Sequence, residues 1–374
     1  MIQIVKVTNR HTLKEFIQFP NTLYKNCKQY VPDLEQDVYN SLDSKKNPAL
    51  KFCEYQAFLA YNNNQVVGRI VGIINPRANR TWNTKYVRFG YIDFVDDIEV
   101  TKALINEVMK WGKKRGMTQI QGPMGFTDYD KEGMLIGDYD LMGSMNTIYN
   151  YPYYKTHMEL LGFEKDADWI QIKIDFPKDL PQRFYKIAEL IKKRLKLHVT
   201  TVSKKQMYGE KGHEVFHLLN KAYAPLFGFT PFDESQIDYL LEQYVPLVNN
   251  KMMPVIENHE NEVVGIAITL PSMSQAIRKS KGKIFPFGWF HLLKSLKWKY
   301  EDTMELLLIG VRPDYQGKGV NSLFFEQLMN VCKNYGFKYA ETCPQLENNN
   351  KELSQWKEFN PKYIKPRRCW KKDI

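Results

Sequence analysis

The stretch Leu306–Met329 constrains this chain more than any other. Leu306-Leu307-Leu308-Ile309-Gly310-Val311 is a short apolar run that predicts a buried strand. Arg312-Pro313-Asp314-Tyr315 breaks it, and Gln316-Gly317-Lys318-Gly319-Val320-Asn321 follows. Leu323, Phe324, Leu328 and Met329 then recur at helical spacing. Strand, glycine-rich turn and helix together offer free backbone N–H groups at a helix N-terminus, the geometry that holds a phosphate. Gly317 and Gly319 let backbone approach closely, and Lys318 adds charge. The Walker pattern G-x-x-x-x-G-K-[ST] is absent, and a dinucleotide fingerprint belongs near the start of a βαβ unit, not near the end of a chain.

The remaining totals narrow the class. At 374 residues with 43% hydrophobic and 14% aromatic content, one or two globular domains with ample core are expected. A net charge of +11 suggests an acidic partner: CoA phosphates, nucleic acid or an anionic membrane. The start, Met1–Val7, lacks the apolar core of a signal peptide, and no run approaches a transmembrane length. Cys27, Cys53, Cys332, Cys343 and Cys369 are scattered without metal-ligand spacing, which suits a reduced, cytoplasmic chain.

In order, Ile2–Val7 alternates like a strand, and Thr12 is placed to cap a helix. Residues 57–74 predict a β-hairpin turning at Asn62–Gln65, Val87–Val95 another strand, and Val100–Trp111 a helix ending at Gly116. A strand at Thr118–Gln121, a helix at Pro152–Leu161 and a strand at Trp169–Ile174 complete the first half. Pro177–Pro181 marks a linker, and helices are expected at Phe184–Leu197, Val215–Tyr223 and Ser235–Tyr244. The pattern then returns. Met253–Ile268 repeats the hairpin, Gly68 corresponding to Gly265, and the helix ending at Gly116 corresponds to the one ending at Gly336. Phe163 corresponds to Phe359. The expected division is 1–176, a linker at 177–183, and 184–374.

Each half carries an insertion. In the second, Ser272–Tyr300 interleaves lysines with Phe285, Phe287, Trp289, Phe290 and Trp298, a composition suited to an anionic membrane surface or a channel for an apolar substrate. In the first, residues 122–154 crowd Asp128, Asp130, Tyr149, Tyr153 and Tyr154 into a long loop, and such loops are uncommon unless functional. The first half has no glycine turn before its helix, where Asp96-Asp97-Ile98-Glu99 would repel phosphate. It is expected to shape the acceptor site rather than bind a nucleotide.

The order Val-x-Pro-x-Tyr-Gln-Gly-Lys-Gly resembles the pyrophosphate loop of the GNAT acyltransferases, [RQ]-x-x-G-x-[GA], with Asn321 standing where a small residue is usual. Two such halves resemble a tandem GNAT protein: an α/β (mixed α+β) fold, each domain a mostly antiparallel sheet flanked by helices, with CoA bound in the second. Gly122-Pro123-Met124 with Asp130–Leu135, Asn150–Tyr154 and Ile284–Phe290 look like the bacterial ceramide synthase-like branch. That resemblance implies acyl transfer from acyl-CoA or acetyl-CoA to a primary amine, most specifically a lipid amine such as a sphingoid base. The alternatives are a small-molecule N-acetyltransferase using acetyl-CoA, or a non-catalytic membrane-surface or nucleic-acid binding protein with a degenerate fold.

The resemblance implies roles for particular residues. Gln316, Gly317, Lys318, Gly319, Val320, Asn321 and Ser322 would hold the pyrophosphate, and Leu308, Ile309, Gly310 and Val311 the thioester region. Asn348 and Asn349 would contact pantetheine, and Glu305 would deprotonate the amine. Ser354 stands where the family often places a tyrosine acid. The acceptor would meet Asp128, Asp130, Tyr149, Tyr153, Tyr154, Phe287 and Trp289. His213-Glu214-Val215-Phe216-His217 satisfies H-E-x-x-H, but no third ligand is evident nearby, and no metal is expected.

Overall fold

A computed structural model describes all residues except Lys178, which falls within the expected linker, and Lys299, at the end of the basic aromatic insertion. Among the described residues fourteen strands build one continuous mixed sheet. In the first half, β1 (Gln3–Lys6), β2 (Glu54–Asn62), β3 (Gln65–Ile74), β4 (Tyr86–Phe94) and β5 (Gln119–Gly122) lie side by side, followed in the chain by the short β6 (Met134–Leu135) and the long β7 (Glu164–Asp175). The second half supplies β8 (His198–Thr201), β9 (Pro254–Glu257), β10 (Val263–Pro271), β11 (Thr303–Val311), β12 (Tyr339–Thr342), β13 (Gln345–Leu346) and β14 (Lys362–Asp373). The last strand, not anticipated from sequence, pairs with β5 on one side and β7 on the other. β7 in turn pairs with β12. Each half therefore closes its sheet with the strand that ends the other half.

The local chemistry explains most boundaries. Asn63 and Asn64 take positive φ of 48° and 60°, the conformation a tight hairpin between β2 and β3 demands. The first helix, Arg10–Leu23, is capped by Asn9 rather than Thr12. Asn9 Oδ1 accepts from the Thr12 amide at 3.0 Å and Thr12 Oγ1 accepts from the Asn9 amide, a reciprocal box with threonine at its third position. The helix Ile98–Lys113 buries Val100, Leu104, Ile105, Val108 and Trp111 against β3 and β4. Its counterpart, Asn321–Tyr335, buries Leu323, Phe324, Leu328 and Met329 and ends at Gly336 with φ of 74°.

Arg69 on β3 and Asp93 on β4 form an almost fully buried ion pair at 2.7 Å, and Tyr24 donates to the other carboxylate oxygen at 3.0 Å. Tyr154 closes this group, its hydroxyl 2.8 Å from that of Tyr24.

Candidate active site

β11 and β12 run parallel only as far as the pair Leu306–Thr342. The Cys343 amide still donates to the Leu306 carbonyl at 2.9 Å, after which the two strands part and the chain turns into β13. On the other side of β11 the register jumps from Leu306–Thr269 to Leu308–Ile268, so Leu307 is an unpaired bulge residue. A bulge facing a splayed neighbour leaves backbone polar groups available to a ligand. Leu306–Ile309 are accordingly half-exposed, not buried as the apolar run alone predicted: the wedge between the strands is open. Leu307, Leu308 and Ile309 form part of the wall of a cavity of about 560 Å³. The Tyr223 hydroxyl donates to the Ile309 carbonyl at 2.8 Å, leaving the ring against the same space.

The glycine-rich turn follows β11 after a short helical turn at Pro313–Tyr315. Gly317 and Gly319 adopt φ of 73° and 82°, which L side chains rarely take. A Cβ on Gly317 would meet open space, whereas one on Gly319 would sit 3.3 Å from Ile191. Residues 316–319 are exposed, and among the described residues the amides from Gly317 to Asn321 donate to no protein acceptor. Gln316 Nε2 ties the turn to the Val311 carbonyl at 3.0 Å, and Ser322 Oγ bonds the Gly319 carbonyl at 2.7 Å. Lys318 lies over the Tyr315 ring. Unpartnered amides at the start of a fifteen-residue helix fit a diphosphate, so the residues present suit CoA.

The cavity extends from the wedge to the junction of the halves. Phe216, Phe229, Leu240, Val248, Met253 and Ile268 give it apolar walls. The first-half insertion contributes Asp128, Tyr129, Asp130, Glu132, Asn146 and Tyr149. Burial raises the Asp128 carboxyl to about 7, although the nearby Arg88 guanidinium and the Thr230 amide, 2.9 Å from Oδ2, oppose the rise. Burial pushes Glu132 well above the usual carboxylate range, and Asp128 adds to the push. Glu352, on the short helix Asn350–Ser354, lines the same cavity and is raised to about 7 by burial.

Glu305 stands one layer behind this wall. It is 6% exposed, and its Oε2 accepts from Asn146 Nδ2 at 2.6 Å, so the cavity-lining Asn146 separates it from the open space. Burial raises its carboxyl to about 7, and Glu341, its partner across the β11–β12 pairing, contributes. Glu341 is itself held by Lys365 at 2.7 Å.

The structure sorts the other expected residues. Asp128, Asp130, Tyr149, Leu308, Ile309 and Asn349 reach the cavity, with Asn349 also capping the Asn350–Ser354 helix. Gly310 and Val311 are buried, Gly310 packing on Leu219, and Asn348 is exposed. Tyr153 and Tyr154 are not brought to the cavity, because their hydroxyls are used in the first-half core: Tyr153 donates to the Phe94 carbonyl and Tyr154 accepts from the Phe94 amide. Phe287 and Trp289 point outward, 73% and 45% exposed. Tyr129, Glu132, Asn146, Tyr223 and Glu352 escaped the sequence reading. Glu132 and Asn146 sit in the loop already singled out, whereas Tyr223 carried no local signal. His213 and His217 both pair with Glu234, and His213 also with Asp238.

Comparison with known proteins agrees with this geometry. The model of the acetyltransferase (GNAT) family matches residues 213–353, which include the bulged strand and the glycine turn. The chain is 29% identical to protein YghO of Escherichia coli over 82% of its length and 78% of that protein's. It is 26% identical to the bacterial ceramide synthase of Caulobacter vibrioides, covering 84% of this chain and 82% of that one. Among solved structures, a tandem GNAT protein from the clavulanic acid biosynthesis pathway aligns over 100% of this chain and 98% of its own, with a TM-score of 0.56 at 10% identity. No helix among the described residues is long and apolar enough to cross a membrane. A bulged strand beside a splayed neighbour, an open glycine turn, the matching family model and the full-length tandem alignment lead to one assignment: residues 213–353 carry an acetyltransferase (GNAT) domain, in a chain with the two-domain fold of tandem GNAT proteins that resembles the bacterial ceramide synthase.

Proposed function

We propose that this enzyme moves an acyl group from acyl-CoA to the primary amine of a hydrophobic acceptor, a sphingoid base or a related lipid amine. The observation that carries the reading is the cavity itself: it starts at the bulged strand, has apolar walls, and meets a group of buried carboxylates from the first-half insertion. Apolar walls suit a hydrocarbon chain, and carboxylates suit an ammonium group before it loses its proton. The similarity to a protein named bacterial ceramide synthase supports the same substrate class.

In this reading residues 1–176 shape the acceptor site and residues 184–374 hold CoA, joined through 177–183. The diphosphate rests on the free amides of Gly317–Asn321, those of Gln316 and Ser322 being taken by the Pro313 and Gly319 carbonyls, with Lys318 adding charge, and pantetheine runs past Asn348 and Asn349 toward Leu308–Val311. The bulged backbone is placed to stabilise the charge that develops on the thioester carbonyl. Glu305, with its carboxyl near neutrality, takes the amine proton through a water beside Asn146. Asp128, Asp130 and Tyr149 orient the acceptor's polar end. The 272–300 segment makes peripheral contact with an anionic membrane.

Thiol release in a matrix of palmitoyl-CoA or acetyl-CoA against a sphingoid base or a short hydrophilic amine tests the assignment. The long-chain pair is expected to turn over fastest. Preference for acetyl-CoA with the short amine would replace the lipid reading by a small-molecule one.

A further inference from the structure

Phe285 and Phe287 are 78% and 73% exposed, Trp289 and Phe290 45% and 44%, and Trp298 64%. They form one patch. Trp289 packs edge-on to Phe290, Phe290 lies 6.1 Å from Trp298, and the Trp289 indole donates to the Pro286 carbonyl between the two leading phenylalanines. Lys279, Lys281, Lys283, Lys294 and Lys297 are exposed around it, and residues 272–300 contain no Asp or Glu. Aromatic rings ringed by lysines, with no acid among them, match the interface of an anionic bilayer.

The opposite side of the same hairpin belongs to the active-site cavity. Ile277, on the helix Ser274–Ser280, is a wall residue, and Leu292 and Leu296, on the helix Gly288–Lys297, pack with it, Val31 and Met145. The Gly282 carbonyl accepts from the Glu35 amide at 2.9 Å, seating the turn just after Val31–Leu34, which also line the cavity.

We infer that this helical hairpin is a membrane-insertion element that sits on an anionic phospholipid surface and places the cavity wall against the bilayer, so that the lipid acceptor is loaded from the membrane rather than from water. The inference rests on the lipid-amine reading for its acceptor, but its surface component stands alone. Loading from the bilayer spares a long-chain amine the transfer through water that its apolar surface opposes.

The test uses the full chain with phosphatidylglycerol-rich and phosphatidylcholine vesicles, followed by sedimentation. The wild type is expected to bind the anionic vesicles, with binding falling as salt rises. F285S/W298S and, separately, K281Q/K283Q/K294Q/K297Q should each lower partitioning by roughly tenfold or more. Because all six side chains are exposed, both variants should keep wild-type melting temperature and turnover with a dissolved short-chain amine, while turnover of vesicle-borne acceptor falls with binding. Equal binding of wild type and both variants, no preference for anionic vesicles, or tighter binding to a DNA duplex than to vesicles would overturn the inference. Loss of vesicle binding without effect on lipid turnover would overturn the loading step. Failure to acylate any lipid amine, with vesicle binding intact, would overturn the substrate reading and leave the surface assignment standing.

Discussion

Replacing Glu305 by Gln isolates the group that the proposed chemistry depends on most. The Glu305 carboxyl is raised from 4.5 to about 7, with burial the leading cause. The folded state therefore holds its proton more tightly than the unfolded chain does. The associated stability is fully present below about pH 4.5 and is lost as pH rises through about 7. At about 1.4 kcal/mol per pH unit, ionisation in place costs the fold roughly 3 kcal/mol. Gln carries no such charge. It keeps the Asn146 Nδ2 contact through its carbonyl oxygen, while its amide takes the position of Oε1, which lacks a hydrogen-bond partner. That new donor is expected to cost about 1 kcal/mol at every pH. Glu305→Gln should thus be slightly less stable than wild type at pH 5 and more stable by about 2 kcal/mol at pH 8. Urea unfolding of both proteins at several pH values measures the difference, which cancels the contributions of Asp128, Glu132 and Glu352. In steady-state assays, kcat/KM of wild type should rise about tenfold per pH unit below pH 7, as the base loses its proton. The variant should lose that limb and at least about a hundredfold in rate. A variant with wild-type turnover and an unchanged acid limb would refute the role of Glu305, and an unchanged stability difference from pH 5 to 8 would refute the buried carboxyl near neutrality.

Three other perturbations probe separate parts. Gly319→Ala places a side chain in a conformation costing about 1–2 kcal/mol and presses on Ile191; KM for acyl-CoA should rise about tenfold while the amine KM stays unchanged. Asp128→Asn keeps an acceptor for the Thr230 amide but removes a charge that becomes unfavourable as pH rises through about 7; the variant should melt higher than wild type at pH 8, lose that advantage at pH 5, and show a raised KM for the amine. Asp93→Ala strands the Arg69 guanidinium in the core and should destabilise the chain by about 3–5 kcal/mol in urea unfolding.

What was legible in the sequence follows from how local each signal is. The hairpin turning at Asn63–Asn64, the helix ending at Gly116 and the glycine turn at 316–319 are written in nearest neighbours, and they appear where expected. An apolar run reads as buried and cannot report that the strand beside Leu306–Ile309 peels away; that separation depends on the chain turning at Cys343 from β12 into β13. Tyr153 and Tyr154 share a crowded segment with Tyr149, yet only Tyr149 reaches the cavity, because the two others satisfy their hydroxyls in the first-half core. Tyr223 and Glu352 come to the site through packing between distant elements. β14 went unread because Lys362-Tyr363-Ile364-Lys365-Pro366-Arg367-Arg368 is strongly basic and holds a proline, although Arg367, between β6 and β7, and Cys369 are both buried.

The exchange of β7 and β14 has a consequence for how such a molecule comes off the ribosome. The first half emerges with a gap beside β5 that its own sequence cannot fill, since β7 reaches across to β12. The missing strand, Lys362–Asp373, follows only after the rest of the second half has been made. Until then the edges of β5 and β7 that pair with β14 are open, and the N-terminal half must wait in an unfinished state. Cutting the chain at the linker would yield two fragments each lacking its closing strand, and removing β14 would strip β5 of its partner in the half most distant in sequence.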